Sequence, residues 1–448
     1  MTSNGTTHPS NSLSRIVIAS TVGSAIEWYD FFIYGAAAAL VFNKLFFPSA
    51  DPLTGTLLAF ATFGVGFIAR PVGGVIFGHF GDRVGRKKAL VIGLFLMGAA
   101  TTLIGLLPTY PAIGAQAPIL LVVLRIVQGI AVGGQFGGAV LVGTENAPPG
   151  RRGLYGSFAQ LGVPIGLVLS SVVFLVATGI TTDEQFLAWG WRIPFLLSFT
   201  LIAVALFAQL KLEETAAMQR AEKTATKTSS PILEVLRRHP KNVLLGAGTL
   251  ILLAVGFYIF STFVLSYGTT VLKMSYNTVL TAVILGAMLQ VVAIPLFAIL
   301  SDRIGRKKVY LGGVVGLAVW VFPAFLLIGN GGFAGAALGV AVAQVLVAAL
   351  QGPLPAFMHE LFPIHVRYSG VSLGYQVGSL IGGGFTPILA TALYAEFRTF
   401  VPIALLVVLA AVLTGSSILV LTENRSAADT DVPSSARAGE AEADPLRA

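Results

Sequence analysis

Charged residues are scarce in this chain, and cysteine is absent. Of the 448 residues, 11% are Asp, Glu, Lys or Arg and 55% are hydrophobic, which gives a mean hydropathy of +0.84. Soluble domains carry about 25% charged residues, so the composition predicts a polytopic membrane protein. Without cysteine the chain forms no disulfide and has no thiolate ligand or thiol nucleophile.

Other absences narrow the range of functions. The five histidines lack the spacing of metal ligands, and no glycine-rich motif with a flanking strand and helix predicts a phosphate site. We therefore expect no metal, no other cofactor, no ATP-driven pump and no enzyme. The net charge of +8 comes from Lys and Arg in short segments between apolar runs. This distribution is typical of membrane topology and does not predict binding to nucleic acid.

Twelve apolar stretches are long enough to cross a hydrocarbon core of about 30 Å as helices of roughly 20 residues. They cover residues 15–42, 54–79, 89–108, 117–142, 153–179, 190–212, 242–270, 276–299, 309–328, 332–357, 368–393 and 398–422. The predicted fold is therefore all-α and integral to the membrane, with one six-helix bundle at 15–212 and another at 242–422. The remaining segments are polar: a cytoplasmic N-terminus at 1–14, a linker at 213–241 and a disordered tail at 423–448.

Two repeated motifs indicate that the halves are related. The octet GDRVGRKK at 81–88 recurs as SDRIGRKK at 301–308, with six of eight residues identical. A Glu-x-x-Pro-x-x-x-Arg spacing that begins at Glu145 recurs from Glu360. Since a charged loop does not sit in hydrocarbon, both pairs mark equivalent places where a duplicated membrane unit surfaces. An alternative interpretation of the second pair is a simple helix end, with proline breaking the helix and arginine at the headgroups.

The basic residues predict the orientation. With both termini in the cytoplasm, the octets, the linker and most other basic residues lie inside, and only Lys44, Lys273 and Arg398 lie outside. Such an asymmetry satisfies the positive-inside rule. We therefore expect a multi-pass protein of the plasma (inner) membrane that has both termini in the cytoplasm and works as a monomer in the lipid bilayer.

Several charged phrases resemble a known family. The octets are similar to loops of the major facilitator superfamily, and its metabolite:proton symporters share the phrases EWYDF at 27–31, ARP-x-G at 69–73, R-x-x-QG at 125–129, ENAPPGRRG at 145–153 and FP-x-x-VRYSG at 362–370. The likeness covers about residues 15–422. It implies the major facilitator fold and proton-coupled uptake of an organic anion or a zwitterion, since such symporters carry dicarboxylates, citrate, shikimate, aromatic acids, proline or betaine.

One departure from the family pattern bears on the mechanism. Helix four of these symporters usually contains Gly-Gly-Glu-x-Gly-Gly, whereas this chain has Gln135 at the position of the glutamate. A glutamine does not ionise, so any proton handling by that glutamate must occur elsewhere in this chain. A pH-independent uniporter or an exporter of a small polar metabolite is therefore an alternative.

Four ionisable residues lie inside predicted helices, where a charge costs about 2.5 to 3.5 kcal/mol. Glu27 and Asp30 are the predicted proton-coupling residues, since a desolvated carboxyl takes up a proton. They share a helix face with Tyr34, a predicted substrate contact, so we expect the three to line one cavity. Arg70 and Arg125 are predicted to dock a carboxylate, because a guanidinium offers two parallel hydrogen bonds. Their alternative role is a structural ion pair with either carboxyl.

Uncharged polar side chains complete the predicted substrate site. On helix four, glycines predict close helix packing, and Gln128 and Gln135 are candidate hydrogen-bond partners of the substrate. The second half offers uncharged candidates only: Tyr258 and Thr262 on helix seven, Tyr375 and Gln376 on helix eleven, and also Ser261, Gln290, Gln344 and Gln351. This pattern predicts that the first half handles charge and the second half supplies hydrogen-bond selectivity.

The octets are predicted to be gates and not binding sites. Simple positive-inside anchoring explains their Lys and Arg but not their aspartates. The arginines after each aspartate are expected to pair with the glutamates of the second motif, or with lipid phosphates, when the cytoplasmic side is closed. The predicted gating residues are Asp82, Arg83, Arg86, Glu145 and Arg152 in the first half and Asp302, Arg303, Arg306, Glu360 and Arg367 in the second.

Two classes of function fit these features. In a secondary carrier, two six-helix bundles rock about a site at the bilayer midplane, so that the site opens to each side in turn. A membrane sensor on the same scaffold would need a signalling domain, and the linker and tail are too short for one. We therefore predict a symporter that carries an organic acid or a zwitterionic metabolite together with protons by alternating access.

Overall fold

The structure, a computed structural model, covers most of the chain. It describes residues 11–84, 86–133, 147, 151–211, 231–363 and 366–421, with side chains except at 11–20, 78–84, 86–90, 204–211, 231–233 and 368. Gln135, Glu145 and the predicted disordered tail lie outside the described residues. So do the side chains of Asp82, Arg83 and Arg86.

Twelve long helical segments follow one another along the described chain, with short helices in some of the connections. Their bounds are α1 Asn11–Leu40, α2 Pro52–Val84, α3 Arg86–Leu106, α4 Gln116–Gly133, α5 Arg152–Ile180, α6 Ile193–Lys211, α7 Pro240–Val271, α8 Tyr276–Ile304, α9 Arg306–Asn330, α10 Gly332–Glu360, α11 Ser369–Phe397 and α12 Val401–Val420. Within the part of the chain that is described, nine of them are long and apolar enough to cross a bilayer. Of two shorter apolar runs, Val91–Leu106 lies within α3, and Gly190–Ala203 combines the 3-10 turn Gly190–Arg192 with the first part of α6.

The helices form two bundles. In the first half α2 packs on α4, α1 packs on α5, and α3 packs on α4 and α6. In the second half α8 and α9 pack on α10, and α7 packs on α11 and α12. The halves meet along two seams, α5 against α8 and α2 against α11. This is the predicted arrangement of two six-helix bundles, and it leaves a central space between the seams.

The second octet is a tight corner between helices. Ser301 to Ile304 form the last turn of α8, Arg306 begins α9, and only Gly305 between them is not helical. Gly305 has a φ of 111°, a conformation that favours glycine because a side chain would clash with the backbone. The prediction of a charged loop is therefore wrong at this position, because the charged residues belong to the ends of two helices. In the first half α2 ends and α3 begins on either side of residue 85.

One feature of the linker was not predicted, and the set of basic residues placed at one end of the bundle needs correction. The linker contains a short helix, Pro231–Arg238, in which Val235 is buried and Arg237 is exposed. Arg192 also lies at the end of the bundle away from the octets, where its Nη2 donates to the carbonyl oxygen of Leu107 at 2.9 Å. A fourth basic residue therefore joins the three predicted at that end.

Glycines allow α2 and α4 to approach closely. A Cβ added to Gly129 would lie 2.8 Å from the Cβ of Ala69, and one added to Gly66 would lie 2.6 Å from Nε of Arg125. A Cβ on Gly133 would also collide with the backbone of α2. The close packing predicted for helix four is confirmed at these described glycines, and it positions Arg125 against α2.

Because this contact has no spare room, we expect Gly129→Val to reduce stability by at least about 1 to 3 kcal/mol, the usual cost of overpacking. Thermal unfolding of the purified protein in detergent measures the effect. Gly179→Val is the matched control, since a Cβ on that helical glycine has nothing within 4 Å. Equal losses in both variants would contradict the packing explanation.

Candidate functional site

Two narrow cavities lie between the bundles and share Trp28 and Tyr375 as walls. The first, here called the charged cavity, is lined by Glu27, Trp28, Phe31, Arg70, Val132, Tyr375 and Gln376. The second, here called the neutral cavity, is lined in part by Trp28 and Gln160 from the first half and by Phe257, Tyr258, Gln351, Tyr375 and Ser379 from the second. Both halves therefore contribute walls to both cavities, as a midplane transport site requires.

Arg70 lies in the charged cavity as a buried cation that no described carboxylate pairs with. The residue is 4% exposed, and its guanidinium carbon lies 4.4 Å from the ring centroids of both Phe31 and Phe67. Its Nε has no hydrogen-bond partner among the described residues, whose carboxylates all lie beyond 4.0 Å. Aromatic faces stabilise the cation but leave its N–H groups available. The alternative of a structural ion pair is therefore not seen for Arg70 in this conformation.

Arg125 belongs to a buried network beside the cavities. Its Nη1 donates to Oε1 of Gln128 at 2.6 Å, and Nε2 of Gln128 donates to Oγ1 of Thr101 at 2.8 Å. The Thr101 hydroxyl lies 3.2 Å from Oδ2 of Asp30 and 2.8 Å from the carbonyl oxygen of Met97, and it can donate to either. Two side chains, those of Gln128 and Thr101, thus connect the arginine of α4 to the carboxyl of α1.

Aromatic rings surround Arg125 as well. Its guanidinium carbon lies 4.2 Å from the ring centroid of Tyr34, 4.6 Å from that of Phe31 and 5.0 Å from that of Phe63. The hydroxyl of Tyr34 is hydrogen-bonded to Oγ1 of Thr62 at 2.5 Å. Phe31 therefore contacts both guanidinium groups, since its ring centroid also lies 4.4 Å from the guanidinium carbon of Arg70.

Of the three residues expected to line one cavity, only Glu27 does so in this conformation. Asp30 and Tyr34 face α2, α3 and α4 of their own bundle, where they meet Thr101 and Thr62. The expectation of one common cavity is wrong because these helices fill the space around that part of the α1 face. Arg125 and Gln128, buried in the same network, also lie outside the two cavity walls.

The second half contributes three predicted residues to the cavities. Tyr258 lines the neutral cavity, Tyr375 lines both cavities, and Gln376 lines the charged cavity with an Oε1 that has no hydrogen-bond partner among the described residues. Thr262 is buried against Gly35 of α1 and lines neither cavity. Uncharged groups of α11 therefore line the same cavity as Glu27 and Arg70.

Helices α7 and α11 contain π-helical turns close to these residues. The turn Ile259–Phe263 follows Tyr258, and the turn Leu380–Gly384 follows Ser379. A π-helical turn inserts a residue into a helix and is frequent at functional sites. The apolar periodicity of the sequence carries no signal for such turns.

Sequence reasoning missed several residues of the site. Trp28 and Phe31 line the charged cavity beside Glu27, and their positions one and four residues after it in the EWYDF phrase were an available signal. Gln160 and the bridging Thr101 were also missed. A single polar residue in an apolar helix does not show which neighbour it meets.

At the end of the bundle that carries the octets, Asp302 joins the two halves. Its Oδ1 accepts from the backbone N–H of Gly153 at 3.0 Å, and its Oδ2 accepts from that of Leu154 at 3.2 Å. These N–H groups belong to the first turn of α5, where they have no partner within the helix and the helix dipole favours an anion. Arg306 lies 3.9 Å from Asp302 and also forms an ion pair with Glu360.

The other described gating candidates differ in exposure and in their hydrogen bonds. Nε of Arg367 donates to the carbonyl oxygen of Phe362 at 3.3 Å, within the second half. Arg303 is exposed, and Arg152 is half-buried at the start of α5. Asp302 therefore connects the bundles by capping a helix, and the predicted pair between an octet arginine and a glutamate forms between Arg306 and Glu360 within the second half.

Contacts between the halves also occur at the opposite end of the bundle. Oγ1 of Thr178 donates to Oδ1 of Asn277 at 2.6 Å, and Nζ of Lys44 donates to the hydroxyl of Tyr276 at 3.3 Å. Each bond joins the first half to the second. The described residues therefore connect the halves at both ends.

Comparison with known proteins accounts for this architecture. Residues 16–426 match the family model described as "Sugar (and other) transporter". The chain belongs to this transporter family. It is therefore a metabolite transporter of the major facilitator superfamily and not an enzyme, and the predicted resemblance to metabolite:proton symporters is confirmed.

Relatives of this transporter extend over most of its length. It is 43% identical over 389 residues to the shikimate transporter of Escherichia coli, with 86% of this chain and 88% of that protein covered. It is 39% identical over 400 residues to an inner membrane metabolite transport protein of the same organism, with 87% and 90% covered. It is 34% identical over 390 residues to the proline/betaine transporter of Escherichia coli, with 84% and 77% covered.

A solved structure confirms the fold of the transporter. The xylose transporter XylE of Escherichia coli, in a partially occluded inward-open conformation, superposes with a TM-score of 0.73 and 18% identity. The match covers 93% of this chain and 99% of that chain. At this identity the likeness shows the all-helical major facilitator fold alone.

Proposed function

We propose that the transporter carries an organic acid or a zwitterionic metabolite together with protons across the inner membrane by alternating access. The observation that carries this proposal is Arg70, a buried cation in the charged cavity whose Nε has no hydrogen-bond partner among the described residues. A guanidinium takes a carboxylate through two parallel hydrogen bonds. The relatives named for shikimate and for proline and betaine support a carboxylate, since all three solutes contain one.

Glu27 supplies the coupling to protons in this proposal. It lines the same cavity as Arg70, so its negative charge competes with the carboxylate of the cargo for that arginine. Protonation removes the competing charge and allows the cargo to bind. Release of the proton on the other side restores the competition and expels the cargo. Uptake is therefore expected to rise as the external pH falls.

Asp30 provides a second place where a proton changes the site. Its protonation would alter the hydrogen bond of Thr101 and, through Gln128, the position of Arg125. Arg125 contacts the ring of Phe31, and the same ring contacts Arg70. A proton on Asp30 would therefore reach the charged cavity by packing and not by direct contact with the cargo.

Uptake into proteoliposomes tests the proposed function. An inward proton gradient is expected to drive accumulation of a carboxylate from a panel of shikimate, proline and succinate. Uptake that ignores pH would support the uniporter alternative instead. If none of these solutes is transported under any gradient, the proposal fails.

Asp302 is proposed to hold the octet end of the transporter closed, because its carboxylate caps a helix of the other half. A cap of this kind stabilises by about 0.5 to 2 kcal/mol, so Asp302→Ala is expected to raise the population open at that end roughly 2- to 30-fold. The chain has no cysteine, so a single Ser379→Cys in the neutral cavity would report this opening through its rate of maleimide labelling.

Asp51 provides the matched control for this experiment. Its carboxylate accepts from the backbone N–H groups of Leu53 and Thr54 at 3.1 and 3.2 Å, so it caps α2 within one half of the chain. A hydrogen bond from the Thr54 side chain, together with the backbone hydrogen bonds, lowers the pKa of Asp51. Asp51→Ala should leave the labelling rate unchanged. Equal rates in the two variants would remove Asp302 from the gate.

A further inference from the structure

The neutral cavity differs from the charged cavity in having no charged wall among its described residues. Its polar side chains include those of Gln160, Gln351 and Ser379, and its aromatic walls are Trp28, Phe257, Tyr258 and Tyr375. A second carboxylate would meet no cation there, and an ammonium group would meet no anion. Either charge would therefore lose its hydration without compensation.

The amide of Gln351 accepts a short hydrogen bond at Oε1 and donates long hydrogen bonds from Nε2. Nε2 of Gln290 donates to Oε1 of Gln351 at 2.9 Å, which fixes the orientation of the amide. On the other side, Nε2 of Gln351 reaches the backbone oxygen and Oε1 of Gln160 only at 3.4 Å each. Hydrogen bonds of this length are weak, and both lie across the boundary between the halves. The N–H groups of Gln351 can therefore leave Gln160 and donate to an oxygen atom of a bound solute at small cost in free energy.

The two cavities are neighbours. Both are bounded by Trp28 and Tyr375, so a solute whose carboxylate lies at Arg70 and which passes these rings would enter the neutral cavity. Its far end then meets aromatic faces and an amide N–H. Hydroxyl groups on a carbon skeleton suit this combination, because they accept hydrogen bonds without carrying charge.

We propose that the neutral cavity selects hydroxyl groups, with Gln351 as the residue that determines this specificity, so that the cargo is a hydroxylated monocarboxylic acid. This inference rests on the proposed function, because it takes the carboxylate to lie at Arg70. The inference predicts that the transporter prefers such acids to dicarboxylates and zwitterions. The proposed function alone does not rank these three classes of solute.

Competition for uptake into proteoliposomes tests the inference with two matched probes. Shikimate and cyclohex-1-enecarboxylate share a ring and a carboxylate, and only shikimate carries hydroxyl groups. The wild-type transporter is expected to prefer shikimate. Gln351→Leu is expected to reduce that preference roughly 2- to 10-fold, the effect of losing one neutral hydrogen bond. Because the measurement is a ratio within one protein, a lower yield of folded variant cancels.

Two further variants sharpen the experiment. Gln351→Asn withdraws the amide by one methylene and should also reduce the preference, which provides a test if Gln351→Leu does not fold. Gln344→Leu changes a buried glutamine of the same helix that lines neither cavity, and the preference should stay at the wild-type value.

The outcomes distinguish this inference from the proposed function. A wild-type preference for succinate or proline, or a shikimate preference that both Gln351 variants retain, would overturn the hydroxyl site and leave the proposed function standing. Absence of proton-stimulated uptake for all four solutes would overturn the proposed function, and the inference with it.

Discussion

Proteoliposomes that contain the double variant Glu27→Gln/Asp30→Asn are expected to exchange labelled cargo but not to accumulate it when an inward proton gradient is imposed. An amide resembles a protonated carboxyl in shape but does not release a proton, so Arg70 stays open to the cargo on both sides of the membrane. The gradient then has no group through which to act. Counterflow of labelled cargo, measured beside gradient-driven uptake, separates retained binding from lost coupling.

The single variants divide the effect between two places. Glu27→Gln alone should make cargo binding independent of pH, because it removes the charge that competes for Arg70 in the charged cavity. Asp30→Asn alone should mainly slow transport, since Asp30 acts through Thr101 and the network of Arg125. Glu184→Gln, at an exposed position in a short helix, is the control and should accumulate cargo normally. Accumulation by the double variant would show that the coupling protons bind elsewhere.

The second large effect concerns the guanidinium that the cargo is proposed to meet. Arg70→Gln is expected to raise the KM for a carboxylate cargo roughly 10- to 150-fold, which corresponds to loss of a charged hydrogen-bonding partner. Arg70→Lys should recover only part of the affinity, because an ammonium group lacks the planar fork and stacks less well on Phe31 and Phe67. Initial rates of uptake over a range of cargo concentrations measure both variants.

Arg192 is the matched control for Arg70. Its guanidinium carbon also lies over an aromatic ring, 4.5 Å from the centroid of Trp191, but the residue lines neither cavity. Arg192→Gln should therefore leave the KM near its wild-type value. An unchanged KM in Arg70→Gln would show that the cargo carboxylate does not depend on this arginine, and it would remove the main support for the proposed function.

The membrane architecture was predictable because the bilayer imposes a simple rule on composition. Each crossing needs about 20 apolar residues, and each turn needs polar ones, so twelve crossings and two halves can be read directly. The same rule did not predict the corner at Gly305, since the octet is polar whether it is a loop or two helix ends. It also did not reveal the short helix in the linker.

The candidate site was predictable where it contains charge. Glu27 and Arg70 stand out in apolar helices, and the structure places both in one cavity. Arg125 stands out equally, yet it lies in the network with Gln128 outside the cavity walls. Depth along a helix can be counted from the sequence, but the direction in which a side chain meets other helices cannot.

By itself, the sequence determined that this protein is a duplicated twelve-helix membrane transporter and which charges are buried in it, because hydrocarbon penalises every polar group that has no reason to be there. Only the tertiary structure decided that Glu27 and Arg70 share a cavity and that Asp302 caps a helix of the other half. It also decided that Gln351 lines a cavity whose described walls are uncharged. Those relations depend on how separate helices pack against one another, and packing brings together residues whose distance along the chain carries no signal.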